Sequence, residues 1–176
     1  MIKFFDIYKQ DKVKIHKNIN DFKKIVKNTN FINGKQVHEF EKNFARFCNT
    51  KYAIGCNSGS DALFLSLKAL NLKENSEVII PAQTYCSTLF SVIRARLKPV
   101  LVDIQYINPT ISMQEIKKKI TNKTSAIIIV HLYGECCNFK KLKEIINKKK
   151  IHIIEDAAQA HGAKDFSSHK KGKIAG

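Results

Sequence analysis

Short apolar segments alternate with segments of helical period along most of this chain, and no other feature constrains the fold as much. Glu77 to Pro81, Val100 to Asp103 (after Pro99), Ser125 to His131 and Ile151 to Asp156 read as strands. Tyr52 to Cys56 reads as a further, first strand. Between them, Asp61 to Leu70, Ser87 to Leu97, Ser112 to Ile120 and Asn138 to Lys148 carry apolar residues at helical spacing. Ser112 and Glu115 have the spacing of a capping box. Strands separated by helices build βαβ units, which require a mostly parallel sheet. The run Ile127-Ile128-Ile129-Val130 has no polar alternation, as expected of a strand covered on both faces. Ahead of the alternation lies a lysine-rich arm, Met1 to Phe31, in which Phe22, Ile25 and Val26 give a modest helical stripe. A turn at Asn33-Gly34 follows, then Val37, Phe40, Glu41, Phe44 and Phe47 at helical spacing. The expected organisation is an arm over 1–34 and one domain over 35–176.

Composition narrows the classes. With 176 residues, 44% apolar and 26% charged, the chain is in the range of an ordinary globular domain. Its longest apolar runs are far too short to span a bilayer, and Met1-Ile2-Lys3-Phe4-Phe5-Asp6 has no cleavable signal core, so a cytoplasmic protein is expected. The net charge of +16 raises the question of a nucleic-acid partner. Against it, only Arg46, Arg94 and Arg96 among the 31 basic residues are arginine, the side chain that does much of the specific phosphate and base reading. The lysines are scattered, and Ile and Asn are abundant, a pattern that looks like drift toward A- and T-rich codons. The five cysteines, Cys48, Cys56, Cys86, Cys136 and Cys137, form no C-x-x-C pair, and the histidines form no H-x-x-x-H pair. Free thiols in a reducing compartment are expected, and no metal site.

In a parallel sheet, ligands bind beyond the carboxyl ends of the strands. There the sequence places Asn57-Ser58-Gly59-Ser60-Asp61, Ala82-Gln83-Thr84-Tyr85, His131-Leu132-Tyr133-Gly134, and Glu155-Asp156 followed by Gln159 and His161. Ser58-Gly59-Ser60 opens a helix, whose free N–H groups favour an anion, although serine and aspartate are also ordinary N-caps. Tyr85 can stack on a planar ligand or fill a core, and Asp156 can bind a cation or cap a structure. His131 and His161 are more often packed than catalytic. The combination is more telling than its parts. An anion cradle, an aromatic plate and a strand-end carboxylate suit pyridoxal 5'-phosphate (PLP), which needs its phosphate held, its ring sandwiched and its pyridine nitrogen kept protonated.

At these residues the chain resembles the PLP-dependent nucleotide-sugar aminotransferases of the DegT type, which have the type I fold. The resemblance runs through Phe31-Ile32-Asn33-Gly34, Lys51 to Leu63, Glu77 to Tyr85 and Lys98 to Asp103. It is strongest at Val130-His131-Leu132-Tyr133-Gly134 and from Ile154 to Ala163. It implies that Gly59 and Ser60 cradle the phosphate, Tyr85 stacks on the ring, Asp156 partners the pyridine nitrogen and Gln159 sits near the ring oxygen. It assigns no chemical role to His161. It further implies a homodimer, glutamate as amino donor, and a nucleotide-linked keto-deoxysugar as the substrate aminated, in the service of cell-surface polysaccharide or related sugar synthesis.

The resemblance also implies what is missing. The family's Schiff-base lysine lies in a Ser-Phe-rich stretch past the Asp-x-x-Gln motif, beyond Gly176; Lys164, Lys170, Lys171 and Lys173 come too early to take that role. No catalytic residue is therefore assigned. The expected fold is a partial type I large domain in α/β form, a mostly parallel sheet with flanking helices, lacking the C-terminal strands and small domain. The strands that would lie between the first strand and the fifth are among those missing, so Tyr52 to Cys56 is expected to have no neighbour. The readings that remain are an N-terminal fragment that is inactive alone, half of a split enzyme, and a non-enzymatic interaction or nucleic-acid-binding module. Uncovered strand edges favour aggregation. The chain expressed alone is expected to be poorly soluble or partly ordered; a sharp cooperative thermal transition from a monomer, seen by calorimetry with light scattering, would count against this.

Overall fold

A computed structural model describes residues 6–29, 31–165 and the backbone of 173–174. The chain divides into two compact units, Met1–Phe44 and Ala45–Gly176. The first holds helix α1 (Ile7–Lys27) and most of α2 (Lys35–Phe47). Asp6 caps α1 by accepting from the Lys9 N–H at 3.0 Å, and Asp11 breaks the helical dihedrals early in it. Tyr8, Val13, Ile19, Phe22 and Val26 of α1 are exposed.

The second unit is built on a four-stranded, wholly parallel sheet of order β2-β1-β3-β4. Its strands are β1 (Glu77–Pro81), β2 (Lys98–Val102), β3 (Thr124–Val130) and β4 (His152–Asp156). Helices α3 (Gly59–Ala69), α4 (Ser87–Arg94), α5 (Met113–Lys119) and α6 (Phe139–Ile145) flank it. A two-residue antiparallel pair, β5 (Lys164–Asp165) with β6 (Lys173–Ile174), follows.

The core follows from strand alternation. Val78, Ile80, Ala126, Ile128 and Val130 face one side, where Leu63 and Leu67 of α3 and Val92 of α4 cover them. Ile79, Ile127 and Ile129 face the other, against Ile116 of α5 and Leu142 of α6. The uninterrupted isoleucine run is thus explained: both faces of β3 are dry. Chirality decides which helix goes where. The step from β1 to β2 runs outward in one direction, and that from β2 to β3 runs back across β1. Right-handed crossovers therefore put α4 on one face and α5 on the other. The reversal lies between β1 and β3, a topological switch point that opens a crevice at their carboxyl ends.

The expected helices and strands are present within a few residues, with one exception. Tyr52 to Cys56 is not a strand; it joins no ladder with a described strand, and Tyr52 and Ile54 are exposed. An isolated extended segment leaves its backbone groups to water, and only a neighbouring strand would make it a ladder. The capping box at α5 is half made. Ser112 accepts from the Glu115 N–H at 3.3 Å, while the Glu115 carboxylate accepts from Lys118 instead.

At the opposite edge of the sheet, Glu77 anchors the start of β1. Its buried carboxylate accepts from the Thr121 hydroxyl at 2.6 Å and lies 3.6 Å from Lys98 Nζ. The Thr121 bond, and secondarily Lys98, hold the Glu77 carboxyl below the ordinary glutamate value. A depressed carboxyl contributes stability that is present above its unfolded value, near pH 4.5, and is lost as pH falls through the folded value. Thr121→Val is therefore expected to lower stability at pH 7, with the deficit against the parent shrinking below about pH 4; urea titrations across pH measure it, and a pH-independent deficit would refute the linkage. Ile128, fully buried at the centre of the sheet, is expected to cost about 2–5 kcal/mol as Ile128→Ala; a loss under about 1 kcal/mol by the same titration would contradict the packing described.

Candidate functional site

Three of the four polar clusters are brought to one edge by the sheet itself, since β1, β3 and β4 run parallel and end there. The fourth, Ser58 to Asp61, is brought there by α4. Three residues of α4 at positions i, i+4 and i+7 grip the first turn of α3. Ser87 Oγ lies 2.7 Å from Ser60 Oγ, the Ser91 hydroxyl donates to the Ser60 carbonyl at 3.1 Å, and Arg94 donates to Asp61 Oδ1 at 2.8 Å. The Arg94 guanidinium also lies 4.1 Å over the Phe64 ring. This ion pair, together with the Ser58 hydroxyl, holds the Asp61 carboxyl below the usual aspartate range. Arg96 pairs with Glu74 at 3.2 Å, so two of the three arginines are committed within the fold.

Ser58 is the N-cap of α3, accepting from the Asp61 N–H at 3.1 Å. The N–H groups of Gly59 and Ser60 belong to the first turn and have no intrahelical acceptor. A Cβ placed on Gly59 would meet nothing within 4 Å. Nothing among the described residues demands glycine there; a ligand lying close to the backbone would. Tyr85, in the turn before α4, is 72% exposed, so it is not a core residue.

Asp156 ends β4, half-buried, and its Oδ1 accepts from the Ala158 N–H at 3.1 Å. Alternation fixes its direction. Ile154 packs with the α3–α4 side of the sheet and Ile153 with the α5–α6 side. Asp156 therefore faces the α3–α4 side, where Ser60 lies, and Glu155 faces away. Gln159 is oriented by the turn after β3: its Oε1 accepts from the Tyr133 N–H at 2.7 Å, which leaves its amide N–H groups as donors. Tyr133 takes a left-handed conformation, φ 57°, to present that N–H. Gly162 takes φ 84°, a conformation that L side chains rarely adopt, and a notional Cβ there would lie 3.2 Å from Phe47 Cζ.

Gly59, Ser60, Tyr85, Asp156 and Gln159 thus lie along one edge of the sheet. Sequence reasoning missed Ser87, whose signal was only a serine at a helix start, and gave Glu155 no role of its own beside the more telling Asp156. His131 proves to be 2% exposed and hydrogen-bonded. All five cysteines are free. Burial pushes the Cys137 thiol up to about 12, which removes it as a nucleophile. Lys164 lies in β5, and Lys170 and Lys171 lie outside the described residues. Among the described residues no cluster of three or more His, Cys, Asp or Glu is placed for a metal, and no helix is long and apolar enough to cross a membrane.

The comparisons with known proteins agree with one another. The profile of the DegT/DnrJ/EryC1/StrS aminotransferase family matches residues 13–176. A dTDP-3-amino-3,6-dideoxy-alpha-D-galactopyranose transaminase of Aneurinibacillus thermoaerophilus is 37% identical over 93% of this chain and 45% of that protein. A dTDP-3-amino-3,4,6-trideoxy-alpha-D-glucose transaminase of Streptomyces venezuelae is 40% identical over 76% of this chain and 35% of that protein. Among solved structures, S. venezuelae DesV in complex with a ketimine intermediate superposes with a TM-score of 0.90 at 33% identity, covering 99% of this chain and 46% of that one. NtdA from Bacillus subtilis with bound PMP gives a TM-score of 0.83 at 32% identity, over 86% of this chain and 35% of that one. The chain spans less than half the length of the relatives it matches. Its sheet and flanking helices correspond to part of their fold, and the chain belongs to the DegT/DnrJ/EryC1/StrS aminotransferase family.

Proposed function

We propose that this chain is the N-terminal, cofactor-cradling part of a PLP-dependent aminotransferase that aminates a keto group on a nucleotide-linked deoxysugar. The carrying observation is the alignment along one sheet edge of an open helix N-terminus, an exposed aromatic ring and a strand-end carboxylate that faces the helix. The residues present fit PLP. The first-turn N–H groups of Gly59 and Ser60 and the Ser60 hydroxyl would hold the phosphate, with the α3 dipole adding to the attraction. The open space above Gly59 admits a phosphate close to the backbone. Tyr85 would cover one face of the ring. The Asp156 carboxylate would hold a proton on the pyridine nitrogen by charge attraction. Gln159 would donate to the ring oxygen with the amide hydrogens that its bond to Tyr133 leaves free. When bound, PLP supplies an electron sink for the carbanion chemistry of amino-group transfer.

The described residues supply the cradle, and the activity is proposed for the whole protein, of whose relatives this chain spans less than half. A homodimer in the cytoplasm, using glutamate as amino donor, completes the proposal. The names of the relatives support the sugar-nucleotide class. Pyridoxamine phosphate (PMP) is the probe of choice, because it cannot condense with the many surface lysines. PMP is expected to bind the chain with a single site, seen by fluorescence and ³¹P NMR. Ser60→Ala and Asp156→Asn are each expected to weaken it about tenfold to a hundredfold, the worth of one hydrogen bond to a charged group. Binding that neither substitution alters would overturn the assignment.

A further inference from the structure

His131 sits where β3 ends, on the face of the sheet away from the proposed cofactor. Its ring is 2% exposed, and both nitrogens are engaged. Nδ1 accepts from the Cys137 N–H at 3.1 Å. An acceptor nitrogen carries no hydrogen, so the ring hydrogen is on Nε2, which lies 3.2 Å from Glu155 Oε2 and donates to it. The His131 main chain makes a third link, its N–H donating to the Asp156 carbonyl at 3.0 Å. One residue, following five consecutive buried residues of a central strand (126–130), therefore holds two consecutive residues of β4, Glu155 by the side chain and Asp156 by the backbone.

The strand so held needs support. β4 is an edge strand among the described residues, with Ile153 and Ile154 only half-buried. Asp156 is its last residue and pairs with Val130, the last of β3. Beyond that point the ladder offers only the His131 N–H. Because Glu155 and Asp156 point to opposite faces, fixing Glu155 behind the sheet sets the rotation of the strand about its own axis, and that rotation aims Asp156 in front.

We propose that His131, through Glu155, is a positioning residue for the Asp156 carboxylate. It touches neither cofactor nor substrate; it holds the strand end that presents the carboxylate. The proposal rests on the cofactor reading for its purpose, and its geometry can be tested without the cofactor.

The test compares the chain with its variants His131→Phe, Glu155→Ala and His131→Gln, the last keeping a donor toward Glu155. In the ligand-free protein, exchange of the Ala158 N–H reports the Asp156 carboxylate that accepts it. Exchange is expected to speed up about tenfold in the first two variants and to return toward the parent in His131→Gln, while the Ile128 amide in the core is unchanged. With ¹⁵N-labelled PMP bound, the pyridine nitrogen signal is expected to move toward the unprotonated position in the first two variants, with the ³¹P signal of the phosphate unmoved. Unchanged Ala158 exchange in Glu155→Ala, whose side chain is partly exposed and whose loss leaves the core intact, overturns the positioning role even if His131→Phe fails to fold. Equal acceleration at Ile128 also overturns it, since the effect would then be general loosening. Failure of the parent chain to bind PMP overturns the cofactor reading alone, and Ala158 still decides this one.

Discussion

Parallel pairing between β1 and β3 closes a chain loop that carries α4, β2 and α5, and the rest of the second unit is arranged around that closure. Such a contact is entropically expensive, since a long segment must be ordered before the ladder forms. It is stabilised by burial on both faces at once. Val78, Ile79 and Ile80 of β1 and Ala126, Ile127, Ile128 and Ile129 of β3 are all fully buried, so the central pair sheds water from both of its faces. The pairing also makes the chain turn back on itself, and that reversal opens the crevice at the carboxyl ends. The site and the core are two results of one topological choice.

How far the sequence disclosed this depends on how local each signal is. The buried strands were legible because an unbroken isoleucine run is incompatible with a wet face, and the helices because their periods and caps are local. Ser112 and Asn138 cap their helices as their residue types suggest. Tyr52 to Cys56 misleads for the opposite reason. Its strand-like composition is a local property, but a strand exists only with a partner, and partners are tertiary. Composition misleads in a smaller way too. The abundant asparagines resemble codon drift, yet Asn33, Asn49, Asn71 and Asn75 all adopt positive φ, where glycine would otherwise serve. Asparagine tolerates this region because its short amide can bond locally.

At the site, the residues that face a ligand were legible and those that hold them were not. Asp156 and Gly59 stand at strand and helix ends, where sequence order alone predicts exposure to the crevice. Ser87 and Arg94 matter because of a helix-to-helix contact with α3, and no spacing in the sequence encodes that two helices touch. The same is true of His131 and Glu155, which are joined across a ladder whose register only the folded sheet defines. Supporting groups of this kind are many residues from what they support, and each looks ordinary by itself.

The bond from His131 to Glu155 has a consequence for the fidelity of assembly. Sliding β4 by one residue would turn every side chain of the strand to the other face. In one direction Glu155 would stand where Ile154 packs, and Asp156 would stand opposite Ile129 in place of Glu155. Apolar contact resists that slip only in part, because Ile153 and Ile154 are half-buried. The imidazole resists it too, because an aspartate in that place is one methylene shorter than the glutamate it meets in the native alignment. A single buried ring thus helps to proofread the alignment of an edge strand.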